Sequence, residues 1–294
     1  MKVREARRKL HTLVVGHGCA PMASVFDPIS ARIAETLGYE AALMGGSLVS
    51  HVVLGAPDVI VLTLTELAEQ VHRCTRVSSV PILIDGDHGY GNALNVMRTV
   101  EELHSAGAAA VMIEDTLLPR PFGPDDAPKL ISMDESIGKI KAAVRARGDS
   151  DLLIFGRTGA ATITGIDDAI ARFRAFESAG VDALFIPGVR TRDELDRIAA
   201  AVRLPLIAGG VSESVADAEY LASRGVRLWS GGHQVFAVAV NALFEAMKAV
   251  REGVYPSRLP GIAPNALLDT VTGSIGYKQR THEFMGGQMK EEKR

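Results

Sequence analysis

Short apolar runs alternate with longer amphipathic stretches along almost the whole chain. The runs begin near Met22 (MASVF), Ala41 (AALM), Pro81 (PILI), Ala109 (AAVMI), Leu152 (LLIF), Val181 (VDALFI), Leu204 (LPLIA) and Val226 (VRLW). Between them, apolar residues recur at helical spacing over Ile29 to Leu37, Thr65 to Val77, Ala93 to Ala106, Ser136 to Ala146 and Asp167 to Ala179. A glycine stands between helix and strand at Gly38, Gly107, Gly180 and Gly225. Glycine just past a helix end takes the left-handed conformation cheaply, so each marks a helix stop and a strand start.

Strands alternating with helices imply a parallel sheet with right-handed crossovers. Eight such units predict an α/β fold of the (β/α)8 TIM-barrel type, which needs about 250 residues. An open doubly wound sheet is the alternative, but it usually carries a Gly-rich phosphate turn after its first strand. Here that place reads Asp27-Pro28-Ile29-Ser30. No Pro/Ser-rich linker interrupts the chain, so residues 1–294 are expected to form a single domain. The barrel is expected over about 20–250 and a C-terminal extension over about 255–294. Three prolines between Tyr255 and Pro264 mark the connection, and the polar end from Gly286 to Arg294 is expected to fray.

Composition narrows the class. Hydrophobic residues make up 47% of 294 and the formal net charge is −3, which excludes disorder over most of the length. The near-neutral balance provides no field to draw nucleic acid or an anionic membrane. Two cysteines, Cys19 and Cys74, are too few for a disulfide scaffold or a Cys-rich zinc site, and point to a reducing cytoplasm. The charged N-terminus is not followed by an apolar stretch of signal-peptide length, and no run reaches the roughly 20 residues of a bilayer span. A soluble cytoplasmic protein is expected.

Barrel enzymes carry their chemistry on the loops that follow the strands, and the unusual polar residues of this chain fall there. Gly45-Gly46-Ser47 follows the second run, Asp85-Gly86-Asp87-His88-Gly89-Tyr90-Gly91-Asn92 the third, Glu114-Asp115 the fourth, Arg157-Thr158 the fifth and His233 the eighth. Carboxylates gathered at one rim repel unless some are neutral or a cation joins them. An oxygen-only set with room for water suits Mg2+, with Mn2+ possible. Helix capping or pairing with arginine is the competing reading for any one carboxylate. Ser47 and its glycines offer donors to a carboxylate or phosphate oxygen. Arg157 presents a planar fork either to a substrate oxyanion or to an ion pair with Glu114 or Asp115. His88 has too little nitrogen or sulfur around it for zinc.

Together, Asp85 to Asn92, Gly45-Gly46-Ser47, Pro57-Asp58, Ile113-Glu114-Asp115 and Gly156-Arg157-Thr158 resemble the isocitrate lyase/phosphoenolpyruvate mutase superfamily. The resemblance runs from about Ser24 to His233. Ser24-Val25-Phe26-Asp27-Pro28 and Asp87 to Arg98 are most similar to its oxaloacetate decarboxylase branch. It implies a 2-keto dicarboxylate chelated to Mg2+. Asp85 would be the direct metal ligand, and Asp87 and Glu114 would act through water. Gly45, Gly46 and Ser47 would hold the substrate carboxylate, Arg157 and His233 would contact the substrate as catalytic groups, and Asp58 would lie on a gating loop. The resemblance also implies a homotetramer, a dimer of dimers, in which C-terminal helices are exchanged between subunits.

The loop Leu117 to Gly123 lacks the cysteine that carbon–carbon lyases of this superfamily use as acid/base, and lacks the Lys/Asn loop of the phosphonomutases. Decarboxylation of oxaloacetate to pyruvate needs neither, only a cation and donors for an enolate. A C–C lyase or an oxaloacetate hydrolase of the same fold, and a non-catalytic dicarboxylate-binding barrel, are the alternatives. Some superfamily members place a polar or aromatic residue after the seventh strand; Ala208-Gly209-Gly210-Val211 predicts a roomier pocket there.

Overall fold

In the computed structural model, residues 2–124 and 127–286 are described. The eight strands are β1 (Ala20–Ser24), β2 (Ala41–Met44), β3 (Ile82–Asp85), β4 (Ala110–Glu114), β5 (Leu153–Arg157), β6 (Ala183–Pro187), β7 (Leu206–Gly209) and β8 (Val226–Trp229). They run parallel in chain order and close by pairing β8 with β1. Every strand expected from the apolar runs is present, which makes the fold a (β/α)8 barrel. The five expected helices are observed as Pro28–Thr36, Leu64–Thr75, Ala93–Ser105, Met133–Arg147 and Ile166–Ala179. Gly38, Gly107, Gly180 and Gly225 all have positive φ, from +77 to +95.

The core has two layers. Leu43, Leu83, Met112, Phe155, Phe185, Ile207 and Leu228 fill the barrel, while Ile84, Val111, Ile154, Phe173 and Phe176 lie among the residues buried between sheet and helices. The helix Lys2–Val15 adds to the helices expected from the apolar pattern. Its Ala6, Leu10 and Val14 are buried at a spacing of four, and Leu10 and Val14 join the interior cluster. Arg7 on the same helix donates from Nε to Ala108 O at 2.9 Å and from Nη2 to His104 O at 2.9 Å. These carbonyls lie at and just past the end of the helix Ala93–Ser105, where backbone acceptors lack helical partners. Burial lowers the Arg7 pKa, with Asp151 opposing the shift.

By internal packing the chain divides into Met1–His233 and Gln234–Arg294. The helix Gln234–Arg251, placed by sequence in the barrel, groups with the C-terminal segment. That segment also holds the helices Asn265–Thr272 and Ser274–Met285. No residue of Gln234–Arg251 is buried, and Val235, Val238, Leu243, Phe244 and Met247 are exposed. The fraying expected beyond Gly286 falls on residues outside those described. Among the described residues, no helix is long and apolar enough to cross a membrane.

Candidate active site

Asp85, Glu114 and Arg157 are the last residues of β3, β4 and β5. Register places Glu114 beside Arg157 on neighbouring strands. Together with Ser47, Asp58, Asp87 and His233 they line a cavity of about 640 Å³. Dispersed over the sequence from 45 to 233, these residues meet because the barrel brings all eight strand ends to one rim.

Arg157 sits between two of the carboxylates. Its Nη1 donates to Asp85 Oδ2 at 2.7 Å and its Nε lies 2.8 Å from Glu114 Oε2. Of the two ion-pair partners weighed from sequence, Glu114 is therefore real and Asp85 is a further one. Burial alone would lower the Arg157 pKa, but Glu114, Asp85 and Asp87 outweigh it and hold the guanidinium charged. Burial raises Asp87 well above the usual carboxylate range, and Asp85, Glu114 and Asp58 add to the shift. Glu114 is raised by burial, with Arg157 opposing. Asp58 is raised by burial and by Asp85. Four carboxylates thus face two guanidiniums, Arg157 and, on the loop after β4, Arg120.

The donor set suits a hard divalent cation. Among the described residues no three His, Cys, Asp or Glu side chains converge tightly enough to ligate one ion together. A cation here would take one carboxylate directly and reach others through water, the habit of Mg2+.

The glycine pair after β2 has a steric reason beyond its backbone donors. A Cβ on Gly45 would lie 2.7 Å from His233 Nε2, and one on Gly46 would lie 2.7 Å from Asp87 Oδ1. Two candidate functional side chains therefore rest directly on glycine backbone. Ser24, at the end of β1, bonds His233 Nδ1 at 2.8 Å and turns Nε2 towards Gly45. Burial lowers the His233 pKa, with Asp85 opposing. Asp87 itself has φ +47, and Tyr90, with φ +59, donates its hydroxyl to Asp87 Oδ2 at 3.4 Å. Two non-glycine residues in this conformation within four positions mark a loop whose geometry its surroundings impose.

Other sequence candidates lie elsewhere. Asp115 does not line the cavity; it pairs with Arg172 at 2.9 Å and is 1% exposed. His88 is buried, and its carbonyl accepts from Lys139 Nζ at 3.1 Å. The room expected beside Gly209 is taken up by Phe185. A Cβ on Gly209 would fall 2.4 Å from Phe185 Cζ. Phe185, Thr116, Leu118 and Arg120 line the cavity without having been singled out from sequence. A lone phenylalanine inside an apolar strand carries no local signal of such a position.

A family model described as phosphoenolpyruvate phosphomutase matches residues 9–251. The chain is 59% identical over 281 residues to an oxaloacetate decarboxylase of Paraburkholderia xenovorans (strain LB400), covering 96% of this chain and 94% of that one. It is 53% identical over 286 residues to an oxaloacetate decarboxylase of Rhodopseudomonas palustris (strain BisB18), covering 97% and 99%. A solved oxaloacetate acetylhydrolase, in complex with 3,3-difluorooxalacetate, superposes with a TM-score of 0.85 at 26% identity, over 98% of this chain and 99% of that one. With the barrel, the rim motifs and these likenesses together, the chain belongs to the phosphoenolpyruvate mutase/isocitrate lyase superfamily, in the company of its oxaloacetate decarboxylases.

Proposed function

We propose that this chain is a Mg2+-dependent oxaloacetate decarboxylase that yields pyruvate and CO2. The observation that carries the reading is a cavity furnished for an enolate and lacking a thiol. Carboxylates and Arg157 line it, whereas the cysteines Cys19 and Cys74 do not. Burial pushes those thiols up to about 11 and about 12, far from service as a labile acid at neutral pH. The naming of relatives at 59% and 53% identity supports the same activity.

In this reading Asp85 would hold the cation directly, and Asp87 and Glu114 would hold it through water. Bound Mg2+ would polarise the keto group and neutralise the adjoining carboxylate. Ser47, with the backbone of Gly45 and Gly46, orients that carboxylate. The C3–C4 bond breaks, C4 leaves as CO2, the bonding pair passes into the enolate, and a proton taken up at C3 from water completes pyruvate. Arg157 donates to the oxygen on which the charge develops. His233 contacts the substrate from the far side of the same rim, and Asp58 closes over the site with its loop.

The direct test is oxaloacetate turnover with and without EDTA, with the products identified. Pyruvate and CO2, formed faster than with Mg2+ alone, are expected. Oxalate with acetate would show a hydrolase, binding without turnover would show a sensor, and a keto acid released when a substituted malate replaces oxaloacetate would show a lyase.

We also propose a cytoplasmic homotetramer, a dimer of dimers, whose C-terminal helices are exchanged. The exposed apolar residues of Gln234–Arg251 support it, because apolar patches of this kind mark contact surfaces. Light scattering is expected to give the mass of four chains, and Leu243→Glu with Phe244→Glu to reduce it. A monomeric wild type would refute the assembly.

A further inference from the structure

Phe185 is the one phenyl ring lining the cavity among the described residues. On β6 it stands in register with Arg157 of β5 on one side and Ile207 of β7 on the other. Registered residues of parallel strands share a face, so Phe185 and Arg157 both belong to the barrel interior. The Arg157 guanidinium carbon lies 5.8 Å from the Phe185 ring centroid, within reach of a cation–π attraction. The far end of the ring reaches Gly209, where a Cβ would come within 2.4 Å of Cζ.

Gly209 and Gly210 are glycine for different reasons. Gly210 has φ +61, a conformation that favours glycine, whereas Gly209 has no positive φ. What Gly209 provides is space, and Phe185 takes it. The need for the ring follows from the other anchors of Arg157. Asp85 and Glu114 are the carboxylates proposed to serve the cation, and sharing them with a cation would loosen their hold on the guanidinium. The ring carries no net charge and keeps its grip in both situations.

We infer that Phe185 is a positioning residue that holds Arg157 over the substrate oxygen, and that Gly209 is a specific requirement of that device. The inference rests on the decarboxylase reading for its kinetic arm. A second arm uses oxalate, whose anionic oxygen beside a carboxylate reproduces the enolate rather than the neutral ketone of a 2-keto acid, with affinity measured by calorimetry.

The variants are Phe185→Leu, which keeps the site apolar, Gly209→Ala, which displaces the ring, and the two combined. Each single change is expected to lower kcat about tenfold, with KM within about twofold, because the lost contact acts on the developing charge. Oxalate affinity should fall about tenfold as well, while Mg2+ affinity and the melting temperature of Phe185→Leu stay close to wild type. In the Phe185→Leu background, Gly209→Ala should cost little more, since leucine ends short of the space that alanine fills.

Phe185→Leu with kcat and oxalate affinity both within twofold of wild type would overturn the inference. So would single losses that multiply in the double variant, or an equal loss of Mg2+ affinity. If the wild type binds oxalate but does not decarboxylate oxaloacetate, the proposed activity fails, and the oxalate arm still decides whether the ring positions Arg157.

Discussion

Glu114 and Asp115 are consecutive residues at the end of β4, and each meets an arginine from another part of the barrel, yet the two pairs do opposite work. Glu114 faces the cavity and shares Arg157 with Asp85. Asp115 does not line the cavity and meets Arg172 of the helix Ile166–Ala179. Alternation of side chains at a strand end sends neighbours to opposite faces. Arg172 is held by three protein oxygens: Nη1 contacts Asp115 Oδ2 at 2.9 Å and Ile131 O at 3.2 Å, and Nε contacts Asp168 Oδ2 at 3.0 Å. Its side chain is 9% exposed, whereas that of Arg157 is 24% exposed, into a cavity with room for a substrate. A closed pair holds structure; an open one keeps a donor for chemistry. Burial raises Asp115 even so, against the hydrogen bonds from Thr158 and Arg172, which shows how much desolvation this pair must overcome.

The sharpest way to separate the pairs is to break each one in turn. Asp85→Ala is expected to abolish turnover, by a factor of at least about 10³, together with Mg2+ binding, while circular dichroism stays native-like. Unchanged Mg2+ affinity would refute the ligand assignment. Next in size, Arg157→Met should lower kcat by about 10² to 10³, the usual cost of losing an oxyanion donor, with folding retained. A loss confined to KM would mean that Arg157 only binds the ground state.

On the other face the readouts exchange places. Arg172→Met leaves Asp115 buried without its partner and should cost about 3–5 kcal/mol of stability by denaturant unfolding. The kcat of the folded fraction should remain within about twofold. Combining it with Asp115→Leu should recover most of the stability, because replacing both partners removes the stranded charge. A large kcat effect from Arg172→Met would end the division into a structural and a chemical pair.

Local pattern made the barrel legible. The apolar runs, the C′ glycines and the polar residues after each run are all read within a few positions. The carboxylates at the rim were visible for the same reason, since each follows its own strand. Partner choice was not. Arg157 had Glu114 or Asp115 as candidates, and only the register of β4 with β5 selects Glu114 and excludes Asp115. Asp85, 72 residues away, joins the same guanidinium through the closure of the barrel. Gly45 and Gly46 read as backbone donors, but their crowding by His233 and Asp87 depends on the loops after β8 and β3 meeting the end of β2 at the rim. Phe185 was hidden because nothing in VDALFI distinguishes a cavity-facing ring from core, and Gly209 then read as open space instead of occupied space. The helix Lys2–Val15 had its signal in Ala6, Leu10 and Val14, obscured by the charges between them.

The smallest effect lies at the outer edge of the structural pair, where Arg172 also meets Asp168, a half-exposed carboxylate four residues before it on the same helix. Burial is the largest single influence on Asp168 and raises its pKa, but the hydrogen bonds from Thr164 and Arg172 and the charge of Arg172 together outweigh it and bring the group below its ordinary value of 3.8. A carboxylate with a depressed folded-state pKa stabilises the fold above its unfolded pKa, and that contribution is lost as pH falls through the folded value. Asp168→Asn should therefore cost at most about 1 kcal/mol at neutral pH, in keeping with a partly exposed ion pair. The difference in melting temperature from wild type should narrow as pH falls below about 4 and Asp168 takes up a proton in both states. A wild-type melting temperature unchanged by Asp168→Asn at neutral pH would show that Asp115 and the Ile131 carbonyl hold Arg172 without it. Asp168 would then contribute nothing to the pair.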